Sequence, residues 1–482
     1  MKIAIVYLPY DVVENQPNIK PVADNYGIFP PLTLLQVASI VMKYGQKVKF
    51  IDAIAKNYSI NEIIKEIREY SPNLVMYTIT TYLFHQTRKI INKIKSNTNV
   101  PVVIGGAHMS IFPKETMEYK EFDYGIIGEA ETTLKEFLEI YDKYKSKSQD
   151  EIKKHLKETS GICFKLGKRT IINPAQIKLN DINKAPFPAR FLIDNTKYYT
   201  IISQKKNYTA IITSRGCPYK CIFCEQKSKS THARSPENVL AEIKGAYDKY
   251  NIREFEFFDP TFTLNKQRAI KICKLIINSK IKIIYSIRTR ADKIDDETSY
   301  WLKKSGCIRV YLGIESSNQK ILDFIKKSID KEKIKSAVKS LKKNKIKVFG
   351  YFIFGLPYDT EKTIKETIKF ARSLKLDFVQ FSELSILPNT ELYNMYVKDV
   401  LQKDYWREYI KNEKSSKILN KYKCKLSDSK IQSLISKAYL YYYLHPANII
   451  RTINTIKSLS QFKRYLKAAL SMMKFKIESL IK

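Results

Sequence analysis

Three cysteines carry the strongest chemical signal in the sequence. Cys217, Cys221 and Cys224 lie at positions i, i+4 and i+7, directly after an apolar run typical of a strand. This spacing puts three thiolates on one tight loop. Iron–sulfur clusters usually take four cysteine ligands, so three without a fourth nearby predict a cubane whose last iron is open to an exogenous ligand. A zinc site is the alternative, but zinc ligands normally include a second CxxC or HxxxH pair, which is missing here.

The other cysteines and the N-terminus indicate the cellular compartment. Seven cysteines is an odd number, and a reducing cytoplasm fits it better than a disulfide framework. The N-terminal apolar run is too short for a signal peptide, and no window approaches 18 apolar residues, so we predict no transmembrane helix. We expect simple core or surface thiols at the dispersed positions Cys163, Cys273, Cys307 and Cys424.

The N-terminal third alternates short apolar runs with helical periodicity. This alternation predicts a parallel, Rossmann-like sheet over residues 1–145, with its ligand beyond the carboxyl ends of the strands. Two glycine-bearing loops follow such strands, and neither matches the GxGxxG motif of nicotinamide-binding proteins. The predicted strands are 2–8, 47–51, 74–79, 101–105 and 123–127, and the predicted helices are about 31–44, 60–70, 85–96 and 130–145.

A second α/β region follows a predicted linker. Residues 146–200 carry charged and proline-rich stretches typical of a linker, with a small hairpin near Cys163. Beyond it, six strands alternating with helices predict a (β/α)6 partial TIM barrel over 201–395, with its chemistry at the carboxyl ends of the strands. Residues 396–482 are predicted to form a helical domain. The six strands are 208–214, 255–259, 282–287, 307–313, 347–355 and 377–382.

In this setting the cysteine loop resembles the signature of the radical S-adenosylmethionine (radical SAM) superfamily, a CxxxCxxC loop after the first barrel strand. The resemblance covers roughly residues 200–400. It implies a [4Fe–4S] cluster held by Cys217, Cys221 and Cys224, whose open iron is chelated by the amino and carboxylate groups of SAM. It further implies that an electron from the cluster cleaves SAM to a 5′-deoxyadenosyl radical, and that an external one-electron reductant of flavodoxin or ferredoxin type supplies the electron.

Other positions match the superfamily one by one. Phe223, before the third cysteine, is expected near the adenine, with an ordinary core phenylalanine as the alternative. Asp259 stands in the region of the Gly-Gly-Glu motif, so contact with the methionine amino group passes to Asp259 or to backbone carbonyls. Arg288 and Arg290 stand where the family places ligands of the methionine carboxylate and the ribose, and a guanidinium suits a carboxylate. A solvated pair at a strand end is the alternative.

Two further matches involve strand ends. Glu315 lies in a GIES sequence whose glutamate is typically a cofactor-site residue, and Gly355 opens a GLP turn whose glycine lets the backbone approach adenine. Glycine is scarce in this chain, with 14 in 482 residues. Six of these glycines fall in the loops discussed, as ligand-cradling loops would need.

The N-terminal region supports a second resemblance. Pro30 to Leu32 before a helix, Asp52 after the second strand, and the loops at 105–108 and 128–131 together resemble the cobalamin-binding domain of cobalamin-dependent radical SAM enzymes. The region lacks the DxHxxG box, so cobalamin would bind without a histidine ligand. The resemblance also implies that His108 lines the nucleotide tail, and a structural histidine is the alternative. The loop after the third strand, with Thr78, Thr80 and Thr81, is implied to lie under the corrin, and the other residues implied to contact cobalamin are Gly105, Gly106, Gly128 and Glu129.

The combined resemblance predicts a methyltransferase. One SAM would methylate cobalamin, a second would yield the radical that abstracts a substrate hydrogen, and methylcobalamin would then methylate an unactivated carbon. The alternative is a radical SAM oxidative cyclase, ring-rearranging or carbon–carbon coupling enzyme. No cysteine precedes Cys163, which argues against methylthiotransferases. A basic nucleic-acid-binding protein is the non-enzyme alternative, but no recognisable binding fold accompanies the charge.

The net charge of +37 indicates a polyanionic partner, or else a lysine-rich bias spread over solvated faces. Residues 401–482 contain 18 basic and 5 acidic side chains. Tyr439 and the run 441–443 are typical of a membrane–water boundary. These features predict peripheral contact with an anionic membrane at its inner face, and a lipid-like substrate. The alternative is a helix whose apolar stripe packs on the barrel; that stripe is Phe462, Leu466, Ala469, Leu470, Met473 and Ile477.

Overall fold

The computed structural model contains two compact units. It describes residues 1–9, 27–175, 181–205, 207–226, 230–398, 403–413, 424, 426–453, 455, 456, 458, 459, 461–467 and 470. The first unit takes the described residues within 1–15, 30–197 and 404–416, and the second takes the described remainder.

The first unit is built on a mostly parallel sheet. Its strand order is β2-β1-β3-β4-β5-β6-β7, in which β1 to β5 are parallel and the β6–β7 hairpin is antiparallel. Runs such as KIAIVY are buried because helices cover both faces of a parallel sheet. The hairpin predicted near Cys163 is present and extends this sheet. This corrects the predicted linker 146–200, because its described residues up to 197 belong to the first unit. The strands are β1 Lys2–Tyr7, β2 Lys47–Asp52, β3 Leu74–Thr78, β4 Val102–Gly105, β5 Tyr124–Ile126, β6 Ile162–Leu166 and β7 Arg169–Ile172.

Local sequence determines where the helices of this unit begin. Ser59 and Glu62 form a capping box at the start of the second helix, whose isoleucines face the sheet. A helix of the C-terminal region also belongs to this unit: Trp406 and Tyr409 are buried, and the Tyr409 carbonyl lies 2.6 Å from Nε2 of His85. The helices are Leu32–Lys43, Ile60–Tyr70, Phe84–Thr98, Ala107–Ile111, Pro113–Thr116, Ala130–Tyr144, Gln149–His155 and Tyr405–Lys411.

The second unit is a partial barrel of six parallel strands in sequential order, which confirms the predicted fold class. Residues of β12 alternate between half-buried and buried, so that Phe349, Tyr351 and Ile353 face the lumen. The strands are β8 Tyr208–Ile211, β9 Glu254–Phe257, β10 Ile284–Thr289, β11 Cys307–Glu315, β12 Lys347–Phe354 and β13 Phe378–Glu383.

Helices surround this barrel, and the C-terminal region is helical, as predicted. It does not form the separate domain expected over 396–482: the described residues within 404–416 belong to the first unit, and those after 416 belong to the unit of the barrel. Among the described residues, no helix is long and apolar enough to cross a membrane. The helices are Pro236–Tyr250, Lys266–Asn278, Asp296–Lys304, Gln319–Phe324, Lys331–Lys343, Glu361–Ser373, Glu391–Tyr396, Asp428–Tyr443 and Pro446–Ile453, and residues 461–467 are also helical.

Tyrosines of the helix Asp428–Tyr443 cover the edge of β13. The Tyr439 hydroxyl accepts from the Phe381 N–H at 3.1 Å and donates to its carbonyl at 3.2 Å, and Tyr443 does the same with Val379 at 3.0 and 3.1 Å. The four-residue step from Tyr439 to Tyr443 rises about 6 Å along the helix, which matches about 6.6 Å for two residues of a strand. The Tyr442 hydroxyl donates to the Leu376 carbonyl at 2.6 Å. This corrects the membrane-boundary interpretation: only Tyr441 of the four tyrosines is exposed.

Candidate functional site

The cysteine loop leaves the carboxyl end of β8. A short antiparallel pair, Ser214–Arg215 with His232–Ala233, closes its base. Gly216 then turns the chain at φ +77°, a left-handed conformation that favours glycine, and delivers it to Cys217. The Ile222 N–H donates to the Ile325 carbonyl at 3.2 Å, which holds the middle of the loop.

Asp259 fixes the start of this loop. Its fully buried carboxylate accepts from the N–H groups of Thr213 and Ser214 at 2.6 and 3.2 Å, and from the Thr213 hydroxyl. Arg268 donates to the carbonyl and hydroxyl oxygens of Thr213 at 3.0 and 2.9 Å. Burial raises the pKa of Asp259, and the Thr213 hydrogen bonds oppose that rise. The structure therefore engages Asp259 with the loop backbone, although the sequence suggested a contact with SAM.

Each of the three loop sulfurs has a polar neighbour. Nη1 of Arg290 donates to the Cys221 sulfur at 3.9 Å, and the backbone N–H of Gln226 donates to the Cys224 sulfur at 3.4 Å. The Thr261 hydroxyl lies 4.0 Å from the Cys217 sulfur. Hydrogen-bond donors aimed at sulfur fit thiolate ligands of an iron–sulfur cluster.

Two cations lie beside the most buried of these sulfurs. Burial raises the pKa of Cys221, whereas the positive charges of Lys327 and Arg290 lower it. Lys327 forms a buried ion pair with Glu315, with 2.6 Å between Nζ and Oε1. Arg290 also donates to the Lys327 carbonyl at 2.6 Å and pairs with Asp292 at 2.8 Å. All three guanidinium nitrogens of Arg290 thus have protein partners, so the structure places Arg290 against the cysteine loop.

Sequence reasoning missed Lys327. It stands in the run FIKKSID of a lysine-rich chain, where no spacing or motif distinguishes it. Only the fold shows that its ammonium group lies next to Glu315 and near Cys221.

Arg288 points into the barrel lumen. Its Nη2 pairs with Oε1 of Glu256 at 2.8 Å, and its guanidinium lies 4.0 Å from the centre of the Phe258 ring. Glu256 also accepts from the hydroxyls of Tyr208 and Tyr311 at 3.0 and 3.3 Å. Nε of Arg288 is buried without a hydrogen-bond partner among the described residues. An unused guanidinium N–H fits an anionic ligand such as the methionine carboxylate of SAM.

Two other predicted contacts have different surroundings. Phe223 is half-buried within the loop. Gly355 has φ +82°, and a Cβ there would lie 3.0 Å from Cδ1 of Ile431 in the helix that covers the barrel edge. The left-handed backbone at this position favours glycine, and the side chain that packs against it is Ile431. Among the described residues, no group of three or more His, Cys, Asp or Glu side chains is close enough to hold a single metal ion.

The carboxyl ends of β3, β4 and β5 lie side by side in the first unit. A Cβ on Gly106, at φ +103°, would lie 2.6 Å from the Thr78 hydroxyl and 2.8 Å from the Ile79 carbonyl, so these two loops touch. Thr80, Gly128 and Glu129 are exposed. This edge of small, accessible residues fits a large flat ligand such as a corrin. The residues that it brings together are Thr78, Thr80, Gly105, Gly106, Gly128 and Glu129.

His108 does not reach this edge. It is 0% exposed, and its Nδ1 and Nε2 lie 3.1 and 2.8 Å from the hydroxyls of Thr81 and Thr116. Its ring stacks on Phe84 at 4.6 Å. Burial lowers the pKa of His108 to about 3. With both ring nitrogens bonded inside the core, His108 has the structural role that the sequence left as the alternative.

The remaining cysteines occupy protein interior or half-buried positions, as expected. Cys163, Cys273 and Cys307 are buried, Cys424 is half-buried, and all four are free thiols.

Two family models match the chain. The radical SAM superfamily model matches residues 211–371, and the B12 binding domain model matches residues 21–138. Both matches agree with the positions of the cysteine loop and of the first sheet. They confirm the predicted cofactor set of a [4Fe–4S] cluster, SAM and cobalamin.

Curated relatives cover most of the chain. The "Uncharacterized methyltransferase PH0819" of Pyrococcus horikoshii is 32% identical over 459 residues, 94% of this chain and 95% of the relative. The anaerobic magnesium-protoporphyrin IX monomethyl ester cyclase of Rubrivivax gelatinosus is 26% identical over 380 residues, 77% of this chain and 67% of the relative. An enzyme with methyltransferase relatives is thereby confirmed.

Solved structures share the fold. The radical SAM methyltransferase TsrM from Kitasatospora setae, with cobalamin and a [4Fe–4S] cluster bound, superposes with a TM-score of 0.64 at 18% identity, covering 82% of this chain and 75% of that chain. The cobalamin-dependent radical enzyme OxsB, with aqua-cobalamin and SAM bound, gives a TM-score of 0.69 at 18% identity, covering 98% of this chain and 72% of that chain.

Proposed function

The chain belongs to the cobalamin-dependent radical SAM enzymes, and from this premise we propose that it methylates an unactivated carbon of a lipid-like or other hydrophobic biosynthetic intermediate. The observation that carries this proposal is the whole-length similarity to a methyltransferase, 32% identical over 94% of this chain. Overall, one SAM gives its methyl group and becomes S-adenosylhomocysteine. A second SAM is cleaved to methionine and 5′-deoxyadenosine, which takes up the hydrogen atom that the substrate loses, and an external reductant supplies two electrons.

In this proposal Cys217, Cys221 and Cys224 hold the cluster. Arg290 and the Gln226 N–H donate to two of these sulfurs, and Asp259 holds the first residues of the loop. Rigid support of this kind keeps ligands in the geometry that the chemistry requires. Asp259 is thus a positioning residue rather than a cofactor ligand.

Arg288 is the proposed partner of the methionine carboxylate. Its Nε is buried and unused by the described residues, while its ion pair with Glu256 holds the guanidinium in place. In the first unit, Thr78, Thr80, Gly105, Gly106, Gly128 and Glu129 are the proposed contacts of cobalamin, for which exposed backbone and small side chains leave room.

The barrel lumen supports a hydrophobic substrate. Phe349, Tyr351 and Tyr311 lie together inside it, with ring centres 5.0 to 5.9 Å apart. Phe349, Tyr351 and Ile353 remain half-exposed there. An aromatic wall combined with a small number of placed polar groups, here the Arg288–Glu256 pair, is typical of sites that bind apolar ligands. For the reductant, the net charge of +37 favours an acidic carrier of flavodoxin or ferredoxin type.

A labelling experiment tests methyl transfer. Reconstituted protein receives cobalamin, a chemical reductant, SAM labelled in its methyl carbon, and organic-solvent extracts of cells that lack the gene. We expect label in a new, heavier extract component that the Cys217/Cys221/Cys224→Ala variant does not form. The proposal fails if SAM is cleaved to 5′-deoxyadenosine in an extract-dependent way while the new product carries no label.

That unlabelled outcome is the signature of the second candidate function, an oxidative cyclase or coupling enzyme. The relative that favours it is the magnesium-protoporphyrin IX monomethyl ester cyclase, 26% identical over 77% of this chain. Such a reaction still consumes SAM as a hydrogen abstractor, but the methyl carbon of SAM does not enter the product.

A further inference from the structure

The helix Pro446–Ile453 turns polar side chains toward the protein. Asn448 is buried, donates to the Tyr442 carbonyl at 2.6 Å and accepts from Arg451 at 2.7 Å. Arg451 also donates to the Leu376 carbonyl at 2.9 Å. On the same helix Ile450 and Ile453 are 60% and 58% exposed. This is the reverse of a surface helix of a globular protein, which buries its apolar side chains.

The helical segment 461–467 has the same inverted polarity. Gln461 is buried, and Arg464 donates to the carbonyls of Ser203 and Ile201 at 2.6 and 3.3 Å. The apolar side chains at i, i+4 and i+8, Phe462, Leu466 and Leu470, are 46%, 48% and 54% exposed. The alternative interpretation, in which this stripe packs on the barrel, is therefore wrong for these three residues. Ala469, Met473 and Ile477 lie outside the described residues.

The chain segment that forms this surface carries charge of one sign. No acidic residue occurs between Asp428 and Glu478, whereas that stretch contains nine lysines and arginines. Lys463 and Lys467 are exposed next to Phe462 and Leu466 on the helix. Leucine, isoleucine and phenylalanine exposed beside lysine are the composition of helices that lie in the interface of an anionic bilayer. Nucleic acid offers the charge but no apolar layer for such side chains.

We propose that this surface, the exposed C-terminal face made of Ile449, Ile450, Ile453, Phe462, Leu466 and Leu470, binds the surface of an anionic lipid bilayer. The exposed apolar side chains enter the acyl boundary, and the lysines beside them contact lipid phosphates. The binding is peripheral and stands independently of the proposed methyl transfer.

The position of this face gives the docked barrel a direction. Its contacts lie at the amino ends of the strands. Arg451 donates to the Leu376 carbonyl, just before β13, and Lys347, the first residue of β12, donates at 3.3 Å to the carbonyl of Thr455, in the turn after the helix. The cysteine loop follows the carboxyl end of β8. The exposed C-terminal face and the cysteine loop therefore lie at opposite ends of the barrel. Docking would hold the enzyme at the bilayer with the cysteine loop directed away from it.

Vesicle flotation of the full-length, cluster-reconstituted protein tests the proposal. We expect binding to phosphatidylglycerol-containing vesicles that falls at least tenfold at high salt, and little binding to pure phosphatidylcholine. The variant Ile450→Ser/Phe462→Ser/Leu466→Ser, and separately Lys463→Glu/Lys467→Glu, should each lose at least tenfold in binding. Phe191→Ser and Lys331→Glu/Lys339→Glu are the matched controls, since these residues are exposed elsewhere.

Three results would overturn the proposal: equal binding to neutral vesicles, unchanged binding of both test variants, or a wild-type dimer that the serine variant converts to monomer. The dimer would identify a second copy of the chain as the occupant. Unchanged iron content in each variant shows that the barrel has folded. Extract-dependent SAM cleavage without vesicles reports on the catalytic proposal separately.

Discussion

The cysteine loop of the second unit and the strand ends of the first unit differ in how many of their polar groups have hydrogen-bond or ion-pair partners within the protein. Around the loop, Arg290 donates to the Cys221 sulfur and Lys327 forms an ion pair with Glu315. The Asp259 carboxylate accepts hydrogen bonds from backbone N–H groups of the loop. These groups are buried, so each one needs a partner inside the protein.

The strand ends of the first unit are built in the opposite way. Thr80, Gly128 and Glu129 are exposed, and the tight packing of Gly106 against Thr78 involves no charge. A charged cluster bound through protein sulfur requires buried counter-charges, whereas a large cofactor bound without a protein ligand to its metal requires space and backbone. The two sites should therefore respond to mutation separately, and by different mechanisms.

The largest expected effect comes from removing the loop thiols. Cys217→Ala/Cys221→Ala/Cys224→Ala should abolish cluster iron and SAM cleavage, because no other described cysteine lies on the loop. Cobalamin binding should remain within about twofold of the wild type, since the first unit is untouched. Iron analysis and the visible spectrum of bound cobalamin measure both, with Cys424→Ala as control. Joint loss of iron and cobalamin would contradict independent sites.

Gly106→Ala should produce the reciprocal result. The new Cβ would meet the Thr78 hydroxyl at 2.6 Å and the Ile79 carbonyl at 2.8 Å, at a φ of +103°. We expect cobalamin affinity to fall by about tenfold to a hundredfold, with about 1–3 kcal/mol of strain in this unit, and iron content to stay unchanged. Gly167→Ala is the control because its Cβ would meet nothing within 4 Å. Equal affinity losses in both variants would sink the proposed role of this edge.

Sequence alone predicted most of the fold because the relevant signals are local. Buried parallel strands appear as continuous apolar runs, and the spacing of Cys217, Cys221 and Cys224 is a local motif. The strand–helix alternation then fixed the end of each strand at which the predicted cofactor residues lie. These features need no knowledge of which distant residues touch.

Long-range partners were the part that sequence could not give. The hydroxyls of Tyr439 and Tyr443 bond to β13, some 60 residues earlier in the chain. Because that contact is not visible in the sequence, the cluster of tyrosines was interpreted as a membrane boundary. The pairing of Lys327 with Glu315 and the use of Asp259 by Thr213 likewise depend on the barrel closing around them. In a chain with 85 lysines and arginines, no single lysine attracts notice.

The ion pair beside Cys221 should tune the cluster in a direction fixed by charge. Lys327→Gln removes a positive charge and should lower the cluster reduction potential by about 50 mV, as expected for a unit charge at this range in a partly buried site. Glu315→Gln should raise it by a similar amount, and the double variant should return near the wild-type value. Potentiometric titration followed by electron paramagnetic resonance measures all three. Shifts of the same sign in both single variants would show that structure, not charge, is responsible.

The smallest expected effect on cobalamin binding comes from His108. Its substitution tests whether this residue packs in the core of the first unit or contacts the cofactor. Burial lowers its pKa to about 3, with a smaller contribution from the charge of His85. The unfolded chain binds a proton near pH 6.5, so the stabilisation from neutral His108 is complete above pH 6.5 and is lost progressively as the pH falls toward 3.

His108→Gln keeps hydrogen-bonding capacity toward Thr81 and Thr116 but cannot take up that proton. Scanning calorimetry measures the unfolding transition of the first unit. Gly106→Ala identifies this transition, because the substitution strains the same unit and should shift it. Between pH 6.5 and 5 the wild type should lose up to about 1.4 kcal/mol more per pH unit than the variant. His85 titrates in both proteins and cancels from the difference. Cobalamin affinity should stay within about threefold, because both ring nitrogens already bond to threonine hydroxyls within the core. A large loss of cobalamin affinity, with the same pH dependence of stability in both proteins, would instead show that His108 contacts the cofactor.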